Sequence, residues 1–99
     1  MTLRTLKIFV AVAEEKNMHA AAKKLFISQP SVSQAIAELE KEYNVKLFER
    51  LSQRLYITET GQKLLNYAYH LLGTYNEIHD FLTCQGSLHR LRIGSSVSV

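Results

Sequence analysis

Residues 17–43 constrain the fold of this chain more than any other segment, because they encode two short helices joined by a tight turn. The segment, NMHAAAKKLFISQPSVSQAIAELEKEY, starts as an alanine-rich helix, turns at 26–28 and continues as a second helix. The second helix opens on small polar side chains, which belong to Gln29, Ser31, Ser33 and Gln34. Such a pair of helices, placed here at about 18–37, is typical of proteins that bind in the major groove of DNA. The segment therefore predicts a DNA-binding regulator.

A first helix precedes this segment, and we expect it to begin after Thr2 and to run to about residue 16. Its buried stripe follows helical spacing and consists of Leu6, Phe9, Val10 and Ala13. Ile8 and Val12 flank the stripe, so the helix is expected to contact a second surface as well as its own core. Asn17 then caps the second helix, at about 18–26.

The third helix is capped by Ser28 and carries Pro30 in its first turn, where a missing N–H does little harm. Apolar residues at spacings of four, three and four define an inward face, at Val32, Ile36, Leu39 and Tyr43. Gln34 lies off this face, which favours a contact outside the protein. Asn44 tolerates the left-handed conformation and is expected to end the helix.

Residues 45–57 predict a small β-hairpin, or wing. Two short apolar runs, Leu47-Phe48 and Leu55-Tyr56-Ile57, flank a polar segment. Arg50 and Arg54 are expected near the tip of the hairpin. The signals for the turn are weak, because the segment contains no Asn-Gly, no Asp-Gly and no glycine at all.

A long fourth helix is expected after Thr58, which caps it, and Glu59 suits its positive end. From Glu59 to Leu82 this helix would reach about 36 Å, which is longer than a domain of about 57 residues can cover. An apolar seam at heptad spacing runs along it, at Leu64, Ala68, Leu71, Tyr75, Ile78 and Leu82. A second apolar stripe lies beside the seam, at Leu65, Tyr69 and Leu72. One stripe can pack on the chain's own domain, so the other predicts self-pairing into a homodimer.

These elements predict a mainly α fold, a winged helix-turn-helix with a small β-hairpin wing, followed by a long dimerisation (linker) helix. Residues 1–58 would form the DNA-binding domain, residues 59–86 the linker helix, and residues 87–99 the start of a further domain. The second boundary depends on Gln85-Gly86-Ser87, which we expect to end the helix. Leu91 and Ile93 then suggest a first strand, and a lone strand is not stable, which indicates that the protein continues.

Composition is compatible with a nucleic-acid partner. The net charge is +3, the pI is near 9.1, and residues 1–57 hold nine Lys or Arg against six Asp or Glu. Cys84 is the single cysteine, which excludes an internal disulfide and suits a reducing compartment. The longest apolar run has six residues, so we expect no membrane span, and the start of the chain is unlike a signal peptide.

Neither a metal site nor a catalytic site is predicted. His70, His79, Cys84 and His89 are separated by nine, five and five residues, which does not place ligands on one helical turn. The chain has no glycine-rich phosphate loop and no Ser-His-Asp arrangement that spacing would favour. We therefore expect no catalytic residue, no metal, no cofactor and no enzyme activity.

The run AAKKLFISQPSVSQAIAELEKEYNVKLFER, followed by ITETG, resembles the N-terminal winged helix-turn-helix of LysR-type transcriptional regulators. The resemblance covers residues 1–87, and residues 91–95 resemble the first strand of the family's effector-binding domain. It implies a cytoplasmic bacterial homodimer, held by the linker helix, that binds imperfect inverted repeats in double-stranded DNA near promoters. In full-length members two dimers often form a tetramer, and a small-molecule effector binds only through the C-terminal domain.

The family's base-reading surface falls on Gln29, Pro30, Ser31, Ser33 and Gln34. A Gln side chain can bond bidentately to adenine, and Pro30 can contact a thymine methyl group. Two positions depart from the family pattern. Asn44 stands where the family commonly has glycine, and Ser52-Gln53-Arg54 replaces a glycine-rich basic turn at the wing tip.

Several basic residues leave two interpretations open. Arg50 matches the family motif and either contacts phosphate or braces the wing, and Arg54 is a second candidate for phosphate. His19 either reaches a phosphate or lies on the surface without contact, and Lys23 and Lys24 are either phosphate anchors or solvated. The alternative function is a winged-helix protein–protein interaction module without DNA binding. Such a module would be expected to carry hydrophobic or acidic groups where this chain has Ser and Gln.

Overall fold

The computed structural model of the chain describes the backbone of residues 1–91 and the side chains of residues 1–85. In chain order the elements are α1 (Leu3–Glu15), α2 (Met18–Leu25), α3 (Gln29–Tyr43), β1 (Phe48–Leu51), β2 (Arg54–Ile57) and α4 (Glu59–Leu91). Three short helices, an antiparallel hairpin and a long helix confirm the predicted winged helix-turn-helix architecture. Within this range, no helix combines the length and the apolar content that crossing a bilayer requires.

Side-chain caps begin the first three helices at the predicted residues. Thr2, Asn17 and Ser28 each accept a hydrogen bond from the backbone N–H three residues later, at 3.1, 2.9 and 3.3 Å. Each cap satisfies an N–H that the helix itself leaves unpaired. The predicted starts of α1, α2 and α3 are therefore confirmed.

Left-handed residues end the same three helices, at Lys16, Phe26 and Asn44, with φ of 55°, 60° and 53°. The role predicted for Asn44 is confirmed. Phe26 was expected to be the last residue of the second helix and is instead its C-cap, because its left-handed backbone leaves the helix.

α1 lies at the centre of the core and is buried around most of its circumference. Ile8 and Val12 are buried as fully as Leu6 and Phe9, because α1 packs against α2, α3 and α4. Ile8 and Val12 belong to the same core cluster as the stripe, so contact of this helix with a second surface stays a prediction. Phe9 also meets Phe48 of β1, with ring centroids 5.3 Å apart, and so connects the hairpin to the core.

The inward face of α3 is one position shorter than predicted. Its first three residues are buried, but Tyr43 is 53% exposed, so the burial predicted for this residue was wrong. The Met1 amine lies 3.2 Å from Glu42 Oε1, which places the start of the chain beside the last turn of α3. Tyr43 lines an open apolar cleft beside Met1 and Leu64, which leaves it about half exposed.

α4 packs on the core of the domain along its first turns, and its contact with α1 continues to Tyr75, whose ring centre lies 5.6 Å from Lys7 Nζ. Ala68 is buried, and three leucines around it are partly buried against the core, namely Leu64, Leu65 and Leu72. Every residue from Gly73 to Gln85 is exposed. The second half of α4 therefore projects beyond the domain that precedes it.

The helix end predicted at residues 85–87 was wrong, since α4 continues to Leu91. Gly86 lowers helix stability by only about 1 kcal/mol, and no proline follows, so nothing local stops the helix. The strand was predicted at 91–95, and its first residue, Leu91, is the last residue of α4. The rest of it falls within residues 92–99, which lie outside the described residues.

Candidate nucleic-acid interface

The first turns of α3 carry the five residues predicted to contact bases. Three of the five are exposed, namely Gln29, Pro30 and Gln34. The other two are partly buried: the Ser31 hydroxyl lies 2.8 Å from Ser28 Oγ, and the Ser33 hydroxyl donates to Met18 Sδ at 3.2 Å. Both hydroxyls already have a partner inside the protein, where they stabilise the turn and the packing of α2 on α3.

Gln34 has a partner on its own helix. Its Nε2 donates to Glu38 Oε2 at 3.1 Å, an exposed pair one turn apart. Pairs of this kind contribute only about 0.2–0.5 kcal/mol, so the amide can exchange this bond for one to another molecule. The Glu38 carboxylate, which is itself exposed, would repel phosphate oxygens at this point of the helix.

A shallow polar cleft of about 130 Å³ lies where α2, α3 and the hairpin meet. Four of the predicted contact residues line it together, namely His19, Gln29, Arg50 and Arg54. Lys16 and Gln53, which were not predicted, also line the cleft. Its lining includes three cations and no carboxylate, so the cleft attracts anionic groups.

The N-terminus of α2 opens onto the same cleft through Asn17, Met18 and His19. The first N–H groups of a helix lack partners within it, and the helix dipole adds partial positive charge there. The first turn of α2 carries no acidic residue that would offset this charge. The helix terminus and the three cations therefore surround Gln29 with positive potential.

The two hairpin arginines reach the cleft from different faces of the sheet. Arg50 pairs across the strands with Leu55 and shares a face with Phe48, whereas Arg54 belongs to the opposite face. Both line the cleft because they adjoin the turn. Among the described side chains, no ion pair joins Arg50 to Glu49.

The hairpin turn consists of Ser52 and Gln53, with φ of 50° and 64°. Positive φ at both positions of a two-residue loop is the geometry of a type I′ turn, for which Asn-Gly is the usual sequence. The sequence signal for this turn was therefore weak, although the hairpin itself was predicted correctly.

Glu40 holds the hairpin against α3, a role that the sequence patterns did not predict. Its Oε2 accepts the backbone N–H groups of Leu47 and Phe48, at 2.7 and 3.2 Å. Hydrogen bonds to a carboxylate are stronger than those between neutral groups. The available signal was the presence of Leu39-Glu40 and Leu47-Phe48 in the LysR-like run, because Glu40 is the residue that bonds to Leu47 and Phe48.

Thr58 and Gly61 join the hairpin to α4. The Thr58 hydroxyl donates to the Lys46 carbonyl at 2.6 Å and accepts the Gly61 N–H at 3.0 Å. A Cβ on Gly61 would lie 2.4 Å from the Leu47 carbonyl oxygen, so only glycine fits. The requirement for this glycine was also missed, although it ends the motif ITETG.

Lys24 is paired with two carboxylates of α1 rather than simply solvated, and its role as a phosphate anchor stays a prediction. Its Nζ lies 3.1 Å from Glu14 Oε1 and 3.7 Å from Glu15 Oε2. The hydrogen bond to Glu14 and the charge of that carboxylate raise the pKa of Lys24. Lys24 therefore connects α2 to α1. Lys23 is exposed, and both interpretations, a phosphate anchor and a solvated side chain, stay open for it.

A second candidate surface lies on α4, where the predicted seam divides into two parts. Ala68 is 1% exposed within the chain's own core, because its small side chain lets α4 approach α1, and Leu64 packs beside it. The other four seam residues are about half exposed, namely Leu71, Tyr75, Ile78 and Leu82. An open apolar cleft extends from the first three of these residues to Leu3 and Leu6. Only the part of the seam from Leu71 onward is therefore open to a partner.

The described part of the chain contains no group of three or more His, Cys, Asp or Glu residues placed to hold a metal ion. His70, His79 and Cys84 are all exposed on α4. The side chain of His89 lies outside the described side chains.

Three helices followed by a hairpin, with the head of the third helix beside the hairpin turn, define a winged helix-turn-helix protein. The profile of the family described as "Bacterial regulatory helix-turn-helix protein, lysR family" matches residues 3–62. The chain therefore belongs to the LysR-type family of bacterial regulators.

Curated relatives are similar over nearly the whole chain. The HTH-type transcriptional regulator CitR of Bacillus subtilis (strain 168) is 38% identical over 96 residues, which cover 97% of this chain and 31% of that protein. A probable RuBisCO transcriptional regulator of Guillardia theta is 40% identical over 99 residues, with 96% and 31% covered. The chain thus spans 31% of the length of these relatives.

Solved structures with this fold include DNA complexes. The BenM_DBD/benA site 1 DNA complex superposes with a TM-score of 0.83 at 38% identity, over 88% of this chain and 98% of that chain. The CbnR_DBD-DNA complex gives a TM-score of 0.80 at 36% identity, over 87% and 99%.

Proposed function

We propose that this chain is the sequence-specific DNA-binding part of a bacterial transcriptional regulator. The observation that carries the proposal is the cleft without carboxylates in which Gln29 meets His19, Arg50 and Arg54. The relatives named transcriptional regulators and the BenM and CbnR domains in complex with DNA support it.

In this interface one group of residues recognises bases and another group binds phosphates. The polar head of α3 faces base edges, through Gln29, Pro30, Ser31, Ser33 and Gln34. Arg50, Arg54 and His19 bind phosphates on either side of it. The lack of an Arg50–Glu49 ion pair among the described side chains supports phosphate contact over bracing for Arg50.

We further propose that two copies pair through the exposed part of the α4 seam. The apolar cleft beside Leu71 and Tyr75 offers each copy a surface for the other, and a two-fold dimer uses the same patch twice. Two reading heads related in this way suit the two half-sites of an imperfect inverted repeat. Ala68 takes no part in this interface because it is buried in its own chain.

The remaining expectations concern a longer protein. Since the relatives are more than three times as long as the matched segment, a C-terminal effector-binding domain belongs to the proposal. Binding of a small-molecule effector and assembly of dimers into tetramers would depend on that domain. A cytoplasmic location follows from the proposed function, since bacterial promoters lie in the cytoplasm.

Replacing Gln29 by Ala tests the proposal at the head of α3. The side chain is exposed and Ala is a better helix former, so the fold is expected to be unchanged. Specific binding to a selected operator should fall about tenfold or more, since one bidentate base contact contributes about 1–3 kcal/mol. Binding to non-specific DNA should stay nearly constant. Fluorescence anisotropy with the two duplexes measures both affinities.

Gln62→Ala, at an exposed position on α4, is the matched control and should change neither affinity. Arg54→Ala should weaken binding to both duplexes and lower the slope of its salt dependence by about one. An equal loss on both duplexes for Gln29→Ala would contradict its role in base recognition.

A further inference from the structure

Three helices meet at the carboxylate of Glu14, in the last turn of α1. Tyr69, on α4, donates its hydroxyl hydrogen to Glu14 Oε2 at 2.6 Å. Lys24, in the last turn of α2, donates to the other oxygen, Oε1, at 3.1 Å. One side chain thus connects the linker helix to the first helix of the helix-turn-helix, across 55 and 10 positions of sequence.

Local helix chemistry does not explain why acids occupy this turn. Glu14 and Glu15 lie at the negative end of the α1 dipole, where carboxylates are destabilising by about 0.3–1 kcal/mol and basic residues are preferred. The last turn of α1 contains no basic residue. The contacts of Glu14 with Tyr69 and Lys24 offset this unfavourable interaction with the helix dipole.

The Glu14 carboxylate remains ionised in this cluster. The hydrogen bond from Tyr69, and then that from Lys24, hold the pKa of Glu14 below its ordinary value of 4.5. The same bond raises the pKa of the Tyr69 hydroxyl, which therefore keeps its hydrogen. The bond between α1 and α4 is consequently charge-assisted, and it is directional in a way that apolar packing is not.

Tyr69 lies near the point where α4 stops packing on the core of the domain. Its neighbour Ala68 is buried, Leu72 is the last residue that packs on the core, and every residue from Gly73 to Gln85 is exposed. From Tyr69 to Gln85 the helix extends about 24 Å. A change of about 10° at Tyr69 would move the far end by about 4 Å, close to the rise of one base pair along DNA.

We propose that Glu14 and Tyr69 are positioning residues that set the angle of α4 on the DNA-binding domain and thereby the preferred separation of two DNA half-sites. This inference rests on the dimer described under the proposed function. In the proposed dimer neither Glu14 nor Tyr69 touches DNA. Their effect is on spacing, whereas Gln29 and its neighbours on α3 decide which bases are bound.

Tyr69→Phe tests this role, because it removes only the hydroxyl oxygen and its bond to Glu14. The full chain is titrated with duplexes that carry two selected half-sites, whose separation varies in steps of one base pair. Wild-type protein should show one preferred separation. In Tyr69→Phe the preference over neighbouring separations should fall about threefold, the effect expected for loss of one solvent-exposed contact to a charged group. Affinity for a single half-site should be unchanged, and the variant should remain folded at the temperature of the assay.

Tyr67→Phe is the matched control, since Tyr67 lies two residues earlier on α4 and is 74% exposed. It should reproduce the wild-type profile. If the wild-type protein prefers one separation and Tyr69→Phe keeps that preference, the role of Glu14 and Tyr69 is overturned. The proposed dimer is not contradicted by that result. A wild-type protein with no preference for any separation would contradict the proposed dimer and, with it, this inference.

Discussion

Gly61 determines how closely the hairpin and α4 approach each other. A Cβ at this position would lie 2.4 Å from the Leu47 carbonyl oxygen and 2.7 Å from Ile57 Cγ1. The carbonyl has little room to move, because it also accepts the Thr58 N–H at 2.9 Å. At Gly73, further along the same helix, a Cβ would meet no atom within 4 Å.

These two glycines give opposite predictions for the same substitution. Gly61→Ala should lower the free energy of unfolding by about 3 kcal/mol, because backbone atoms must separate to admit the methyl group. Gly73→Ala should raise it by up to about 1 kcal/mol, because Ala is the better helix former at an open position. Chemical denaturation followed by circular dichroism measures both values. Equal effects of the two substitutions would contradict the close approach at Gly61.

Residues that act on their neighbours could be predicted from the sequence, whereas residues that act across elements could not. Thr2, Asn17 and Ser28 were predicted as caps because the N–H that each accepts lies three residues away. Glu40 and Gly61 escaped prediction because their partners belong to the hairpin, and no periodicity in the sequence records that contact.

At the scale of elements, α4 has two environments along one helix. Its first turns pack on α1 around Ala68, and its later turns expose the side chains from Leu71 onward. Leu71 is 48% exposed and lines the apolar cleft that reaches Leu3 and Leu6. A side chain at this position is solvated in a monomer and would be buried if two copies pair there.

Leu71→Glu should therefore break the dimer without unfolding the monomer. A carboxylate buried in the interface would weaken dimerisation at least about tenfold, or about 1.4 kcal/mol, and would lower affinity for paired half-sites. Multi-angle light scattering over a range of concentrations measures the effect. Asn76→Glu adds the same charge at an exposed position of α4 and is expected to remain dimeric. Dimers that persist in Leu71→Glu would show that copies pair elsewhere.

The heptad pattern predicted that α4 would be long and apolar on one side. It could not show which seam residues pack within the chain and which are exposed. Ala68 and Leu71 follow the same spacing, yet one packs in the chain's own core and the other is exposed. Burial within the chain and burial against a partner both require apolar residues, so the pattern alone does not separate them. The end of α4 was misplaced because Gly86 lowers helix propensity without preventing the helix.

At the scale of the whole molecule, the chain is elongated, with extents of 58 × 25 × 20 Å. The order of its elements could be predicted from periodicity and caps. The cleft that joins α2, α3 and the hairpin could not, because it depends on tertiary contacts such as those of Phe9 with Phe48. These contacts bring Arg50, Arg54 and His19 beside Gln29, and they make one surface of residues that lie far apart in the sequence.

Selection of bound duplexes from a random DNA pool tests most directly whether this surface recognises sequence. The chain should enrich one motif made of two similar half-sites in inverted orientation at a fixed separation. Gln29→Ala should relax the preference at one position in each half-site. A pool that remains random after repeated rounds, with folded protein and measurable DNA binding, would contradict the account.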